Sequence, residues 1–307
     1  MATTTIIPAA TTPFAITARK VTKHYGNVAA LAGIGFEVAP GEAVALWGPN
    51  GAGKTTILRC LLGLARYTGE IRVLGWDPQR EGRQVRATIG YVPQDLPVSP
   101  MTAGEFVSFI ASLKRVPVAQ ALERLDQLGI GDQADKRVGA LSGGMRQRLS
   151  LALALIGSPG ILLLDEPTAN LDARGRAELL DLLLGLKRDG MTLVFSSHRP
   201  DDVLALADRI LMIERGLLRQ SASPAEFKQH LGTASQLVLS LKNGHLPEAL
   251  ATLNRLGFEA TGTGHVVTVP IPVREKARVI GALAREGIEI EDFEVERVGW
   301  TDQSSSR

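Results

Sequence analysis

GPNGAGKT (48–55) follows the apolar run AVALW (43–47) and opens a segment, 55–65, whose apolar spacing predicts a helix. It matches G-x-x-x-x-G-K-T in full, with the strand before it and the helix after it that the pattern requires. Glycines let backbone N–H groups turn inward toward phosphate oxygens, and a helix N-terminus adds partial positive charge. Lys54 is then expected to reach the β- and γ-phosphates of a nucleotide, and Thr55 to place its hydroxyl on Mg²⁺. Gly48, Pro49, Asn50, Gly51, Ala52, Gly53, Lys54, Thr55 and Thr56 form the expected cradle. The competing reading is a glycine turn beside an exposed lysine, and the strand–loop–helix context speaks against it.

Working outward, ILLLD (161–165) and TLVFSSH (192–198) are short apolar strands of the kind buried in a mostly parallel sheet. Between them, DARGRAELLDLLLGLKRDG (172–190) has apolar residues at helical spacing, so the pattern is βαβ and the fold class α/β. Residues 101–135 hold no strand-like run and read as helices broken at Pro117, a helical subdomain spanning about 95–150. A strand ending in Asp165 sets a carboxylate at the carboxyl edge of the sheet, where it suits Mg²⁺. Glu166, one residue on, is placed to orient and polarise water. The alternative for both acids, which precede a proline, is the N-terminal cap of a helix. His198 ends the second strand and is open to a purely structural role.

Composition bounds the partners. The 307 residues are 45% hydrophobic and 21% charged with a net charge of +2, which gives no argument for nucleic acid. Cys60 is the single cysteine, so neither a disulfide nor a cysteine zinc site is built within the chain. LSLALALIGSPGILLLDEP (149–167) is the most apolar stretch, and it is cut by Gly-Ser-Pro-Gly, too short to span a bilayer. The N-terminus lacks the basic and apolar regions of a signal peptide and reads as a loose tail, 1–13.

LSGGMRQR (141–148) is a second glycine turn before a basic helix, in a chain whose phosphate loop is already complete. With GPNGAGKT and LLLDEP in this order, it makes residues 15–225 resemble the nucleotide-binding domain of ABC-type ATPases. The resemblance implies a P-loop ABC core that binds ATP and Mg²⁺. Two such domains would meet head to tail, so that Ser142, Gly143 and Gly144 close over the nucleotide of a second subunit. That subunit would be another copy or a second ABC ATPase. By the same resemblance Tyr25 stacks on adenine, Gln94 senses Mg²⁺ and links the site to the helical subdomain, Asp172 lies in the loop crossing to the partner, and His198 is the switch histidine. Asn170 departs from the pattern, since many relatives have glycine there. Lys54, Gln94, Glu166 and His198 become the expected catalytic set, with Thr55, Gln94 and Asp165 toward the metal.

Only 86 positions separate Thr55 from Leu141, with no heptad run and no cysteine pairs. That compactness favours the ATP-hydrolysing subunit of a membrane transporter over ABC proteins of DNA repair or the ribosome. IGYVPQDLPVSPMTAGEFVSFIASLKRV (89–116) most resembles ATPases of two-component exporters, whose permease is a separate integral-membrane chain; import stays open. The expected place is cytoplasmic, peripheral on the inner face of the cell membrane. Past a polar linker, 226–234, the run of strands and helices over 235–300 reads βαββαβ, a small α+β ferredoxin-like domain, before a polar tail, 301–307. It is read as either a ligand sensor or a supporting extension. Its acidic run, Glu291, Asp292, Glu294 and Glu296, reads as a solvated strand edge.

Overall fold

The computed structural model describes residues 13–233, 235–242, 245–271 and 275–297. Both expected tails lie outside these residues, apart from Pro13. The chain divides into two compact units between Pro224 and Ala225.

The first unit opens with β1 (Ile16–Tyr25), β2 (Val28–Val38), β3 (Ala43–Trp47), α1 (Lys54–Leu61), β4 (Thr68–Val73), α2 (Gly82–Thr88) and β5 (Ile89–Val92). Three helices follow, α3 (Ala103–Lys114), α4 (Val118–Gln127) and α5 (Gly143–Leu155). The chain returns to the sheet with β6 (Ile161–Asp165), α6 (Ala173–Arg188), β7 (Thr192–Ser197), α7 (Pro200–Leu206), β8 (Arg209–Glu214) and β9 (Leu217–Ala222).

The main sheet runs β5-β6-β7-β3-β8-β9, parallel throughout except for the β8–β9 pair. Every residue of β6 and β7 is buried, the signature of strands covered on both faces. Parallel strands end at the same edge, and here the register sets Asp165 beside Ser196 and Trp47 beside Ser197. The loop after β3 and the carboxyl ends of β6 and β7 therefore converge. That edge is where α/β folds hold ligands. Ile57, Leu58 and Leu61 of α1 are buried in one core with Leu163, Val194 and Leu211 of the strands, which anchors the loop from below.

A second, antiparallel sheet, β2-β1-β4, adds to this core. Register shifts interrupt β1, and Lys20 within it has φ +50°, so its side chains do not alternate cleanly. In the helical subdomain α3 starts at a capping box, in which Thr102 accepts from the Glu105 N–H and Glu105 accepts from the Thr102 N–H. Arg115 in the left-handed conformation ends it, and Pro117 precedes α4. No helix begins at Asp165 or Glu166; the cap of α6 is Asp172, so the helix-cap alternative for the two acids is set aside.

The expected linker, 226–234, is largely helical. Helix α8 (Pro224–Thr233) covers it up to residue 233, and its Phe227 is buried. The second unit then holds β10 (Ser235–Leu241), α9 (Leu246–Arg255), β11 (Thr261–Thr263), β12 (Val266–Pro270), α10 (Lys276–Arg285) and β13 (Ile290–Arg297). Its antiparallel sheet has the order β11-β12-β10-β13. Leu237, Leu239 and Leu241 alternate onto one face and share a core with Leu253, Val267, Val269, Val279 and Leu283. Each such side chain contributes about 1.5–3 kcal/mol on burial. FEATG (258–262) is shorter as a strand than its composition implies: pairing starts at Thr261, while Phe258 packs against the core. β13 is an edge strand with residues 291–294 exposed.

Candidate active site

The loop between β3 and α1 is shaped by glycine where no side chain fits. At Gly53 φ is +110°, and a Cβ would stand 2.6 Å from the Ala30 carbonyl oxygen. At Gly48 a Cβ would stand 2.1 Å from the Ile213 carbonyl oxygen. α1 starts directly at Lys54 with no side-chain cap, so its first N–H groups stay available to an anion. The Lys54 ammonium is buried in this loop. It donates to the carbonyls of Gly48 at 2.7 Å and Pro49 at 3.2 Å, and lies 3.7 Å from Glu166 Oε1.

Opposite the loop stand the two strand-end carboxylates. Thr55 Oγ1 donates to Asp165 Oδ1 at 3.0 Å, so the two residues expected to share a metal are already paired. Burial, and then the Asp165 carboxylate, push the Tyr91 hydroxyl pKa upward. Glu166 is only 8% exposed and has φ +48°, a left-handed backbone that costs a non-glycine residue about 1–2 kcal/mol. Its Oε2 lies 2.7 Å from His198 Nδ1 and also accepts from the His198 N–H at 3.3 Å. When Glu166 is ionised its carboxylate only accepts, and Nδ1 is then the donor of this pair. Its Oε1 has no hydrogen-bond donor and faces Lys54.

An open cavity of about 170 Å³ lies over the loop, lined by Ala30, Asn50, Gly51, Ala52, Gly53, Lys54, Thr55, Thr56, Gln94 and Glu166. The structure thus brings Gln94 and Glu166 to the phosphate loop. It does not bring Tyr25, Ser142, Gly143, Gly144 or Asp172 into the lining. Tyr25 stands half exposed at the end of β1, with the Lys23 ammonium 4.5 Å from its ring centre. Ser142 caps α5 by accepting from the Met145 N–H, and Asp172 caps α6 by accepting from the Gly175 N–H. Both are exposed. Asn170 donates to Asp95, the neighbour of Gln94, at 2.7 Å, which glycine at that position has no side chain to do.

Four polar residues of this region, Ser196, Thr168, Asp202 and Arg176, were not singled out from the sequence. Ser196 is fully buried; its hydroxyl accepts from the Glu166 N–H at 2.8 Å and donates to Asp165 Oδ1 at 2.7 Å. Thr168 donates to Asp202 at 2.5 Å, both being 2% exposed, and Arg176 Nε lies 3.6 Å from the other oxygen of Asp202. The signal for Ser196 is a polar residue following the apolar run LVF in a buried strand, which needs partners. Asp202 gives no comparable signal, because an acid in the first turn of a helix is ordinary.

Comparison with known proteins agrees with this geometry. A family model described as ABC transporter matches residues 31–169. The daunorubicin resistance ATP-binding protein DrrA3 of Streptomyces coeruleorubidus is 35% identical over 291 residues, 92% of each chain. The Nod factor export ATP-binding protein I of Paraburkholderia xenovorans is 39% identical, covering 67% of this chain and 70% of its own. The sulfate/thiosulfate import ATP-binding protein CysA of Thermosynechococcus vestitus is 38% identical, covering 73% and 68%. Among solved structures, a dimeric bacterial ABC transporter cassette is similar with a TM-score of 0.63 and 29% identity, over 68% of this chain and 98% of that one. With 35% identity to one such protein over 92% of each chain, this chain belongs to the ABC transporter ATP-binding proteins, the ATPases that power transport.

Proposed function

We propose that the chain works as one of two ATPase subunits on a separate integral-membrane permease, and that the transporter exports its cargo. The observation that carries the site assignment is the convergence of Lys54, Thr55, Gln94, Asp165, Glu166 and His198 on one sheet edge, while Ser142 to Gly144 stay outside the cavity. A nucleotide phosphate chain would lie on the loop, with Lys54 leaving its carbonyls for the terminal phosphates. Thr55, Gln94 and Asp165 are oxygen donors of the kind Mg²⁺ takes, and the 3.0 Å Thr55–Asp165 pair fits a shared ion. Bound there, Mg²⁺ would neutralise phosphate charge. Glu166 would accept a proton from the attacking water, with His198 holding its second oxygen. Ser142, Gly143, Gly144 and Asp172 would act on the other subunit's nucleotide, and Tyr25 would stack on the adenine.

Two ATP molecules between two copies would close the dimer, and hydrolysis would reopen it. Differential affinity for the closed state is what moves such an element. The helical subdomain, tied to the cavity through Gln94, would carry that motion to the permease from the cytoplasmic face of the membrane. Among the described residues no helix is long and apolar enough to cross a membrane, which fits a division of labour with a second chain. Export is favoured by the Nod factor export relative and by the daunorubicin resistance ATP-binding protein, matched over 92% of each chain. Import is the second reading, supported by the sulfate/thiosulfate import relative at comparable identity. The second unit we read, on the strength of its strand order, as a ferredoxin-like βαββαβ domain, and we assign it a supporting role in assembly.

The test is a pull-down from detergent-solubilised host membranes, using tagged Glu166→Gln protein with ATP and mass spectrometry of what is retained. A polytopic membrane protein in stoichiometric amount is expected, and its identity leads to the cargo. Retention of only ribosomal, nucleic-acid-bound or other soluble partners would overturn the transporter assembly.

A further inference from the structure

Ser196 occupies a position that none of the motifs around the loop covers. It lies in the middle of the site's three strands, in register beside Asp165, with no exposure to solvent. A hydroxyl has one proton to give, and here it is committed to Asp165 Oδ1 at 2.7 Å. The same oxygen accepts the Glu166 N–H at 2.8 Å. One atom thus binds two adjacent residues whose side chains serve different purposes.

The backbone shows why that matters. Glu166 holds φ +48°, a conformation that a non-glycine residue leaves unless something opposes the change. Because φ turns about the N–Cα bond, rotation into the right-handed basin would leave the N–H, held at the end of β6, on Ser196 but redirect the carboxylate away from His198. A buried N–H without a partner is costly, so the serine oxygen anchors the peptide from which the Glu166 side chain departs. Asp165 Oδ1 also accepts from Thr55, but that hydroxyl is assigned to the metal in the reading above. Ser196 is then the donor that stays with Asp165. Ser197 beside it does something else, accepting from the Arg199 N–H at the turn into α7.

We propose that Ser196 is a positioning residue for ATP hydrolysis: its hydroxyl holds the Asp165 carboxylate and the Glu166 peptide in their relative places. The inference rests on the site reading given under the proposed function. It makes Ser196 act on the chemical step and leaves the phosphate loop, which binds the nucleotide, untouched.

The experiment compares Ser196→Ala, Ser196→Thr and Glu166→Gln with the wild-type chain. It measures kcat, KM for MgATP, ATP affinity and the thermal midpoint. Ser196→Ala removes the oxygen alone and is expected to lower kcat by about 10- to 100-fold, with KM and ATP affinity within about threefold. Ser196→Thr retains the oxygen and adds a methyl group, so it is expected to recover most of the loss; a packing role would rank the two variants the other way. A Ser196→Ala kcat within about twofold of wild type, with Glu166→Gln inactive, overturns the role of Ser196 and leaves the site reading in place. Equal falls in kcat and affinity with a lowered midpoint also overturn it, since they mark general loosening. If Glu166→Gln keeps wild-type turnover, the site reading fails, and the inference with it.

Discussion

Replacing Glu166 with glutamine separates nucleotide binding from hydrolysis in a way the geometry makes quantitative. Glutamine has nearly the same volume, so it keeps the buried place and the 2.8 Å contact between its N–H and Ser196. What changes is charge. The Oε2 contact with His198 Nδ1 at 2.7 Å loses its ionic acceptor, and the proposed general base is gone. A positioned general base contributes about 10²- to 10⁴-fold, so turnover is expected to fall about 1,000-fold, or about 4 kcal/mol of barrier. The second effect runs the other way. Lys54 lies 3.7 Å from Glu166 Oε1, and both side chains are at least nine-tenths buried. At an effective dielectric of about 20, that attraction is on the order of 4 kcal/mol before desolvation is subtracted. Removing it frees Lys54 for phosphate, so ATP affinity is expected to stay level or rise. Phosphate release under steady state and equilibrium binding of ATP read the two effects separately, and gel filtration with ATP reports a long-lived dimer. Turnover above about a tenth of wild type, or ATP affinity more than about tenfold weaker, refutes the reasoning.

Lys54→Ala removes the cation from the loop and leaves Glu166 Oε1 facing no charge; ATP affinity is expected to fall about 30-fold, equivalent to about 2 kcal/mol. Wild-type affinity in a binding titration would count against the cradle. Thr168→Val takes the hydrogen bond from the buried Asp202 carboxylate while preserving shape. The first unit should lose about 2 kcal/mol, a fall of roughly 4–8 °C in its thermal midpoint, and a change under about 0.5 kcal/mol would sink the idea. Cys60 is fully buried, and burial pushes its thiol up to about 11. The folded protein therefore holds that proton more tightly than the unfolded chain. Its contribution to stability is complete below about 9 and is lost as pH rises through 11. A thiol reagent at neutral pH should label Cys60 only after denaturant is added, and rapid labelling of the native chain would contradict its burial.

Much of the site could be read from local sequence, because the physical requirements there are local. A phosphate loop needs glycines at fixed offsets between a strand and a helix, and Gly53 at φ +110° against the Ala30 carbonyl is that requirement met. The fully buried β6 and β7 likewise announce themselves as unbroken apolar runs. The second sheet and α8 were less legible. Bulges break the alternation of β1, and the composition of PAEFKQHLGT (224–233) resembles a turn although it forms a helix.

What the sequence by itself determined is the set of chemically competent residues: Lys54 and Thr55 on the loop, Asp165 and Glu166 after one strand, His198 after another, and the family to which their order belongs. Tertiary structure alone decided how they meet. That Thr55 pairs with Asp165 across 110 positions, and Glu166 with His198 across 32, follows from the parallel register of β3, β6 and β7. The role of Ser196 follows from the same register. A serine in TLVFSS is chemically anonymous until the sheet sets it beside Asp165 and a left-handed Glu166, because hydrogen bonds between strands depend on neighbours that lie far away in the chain.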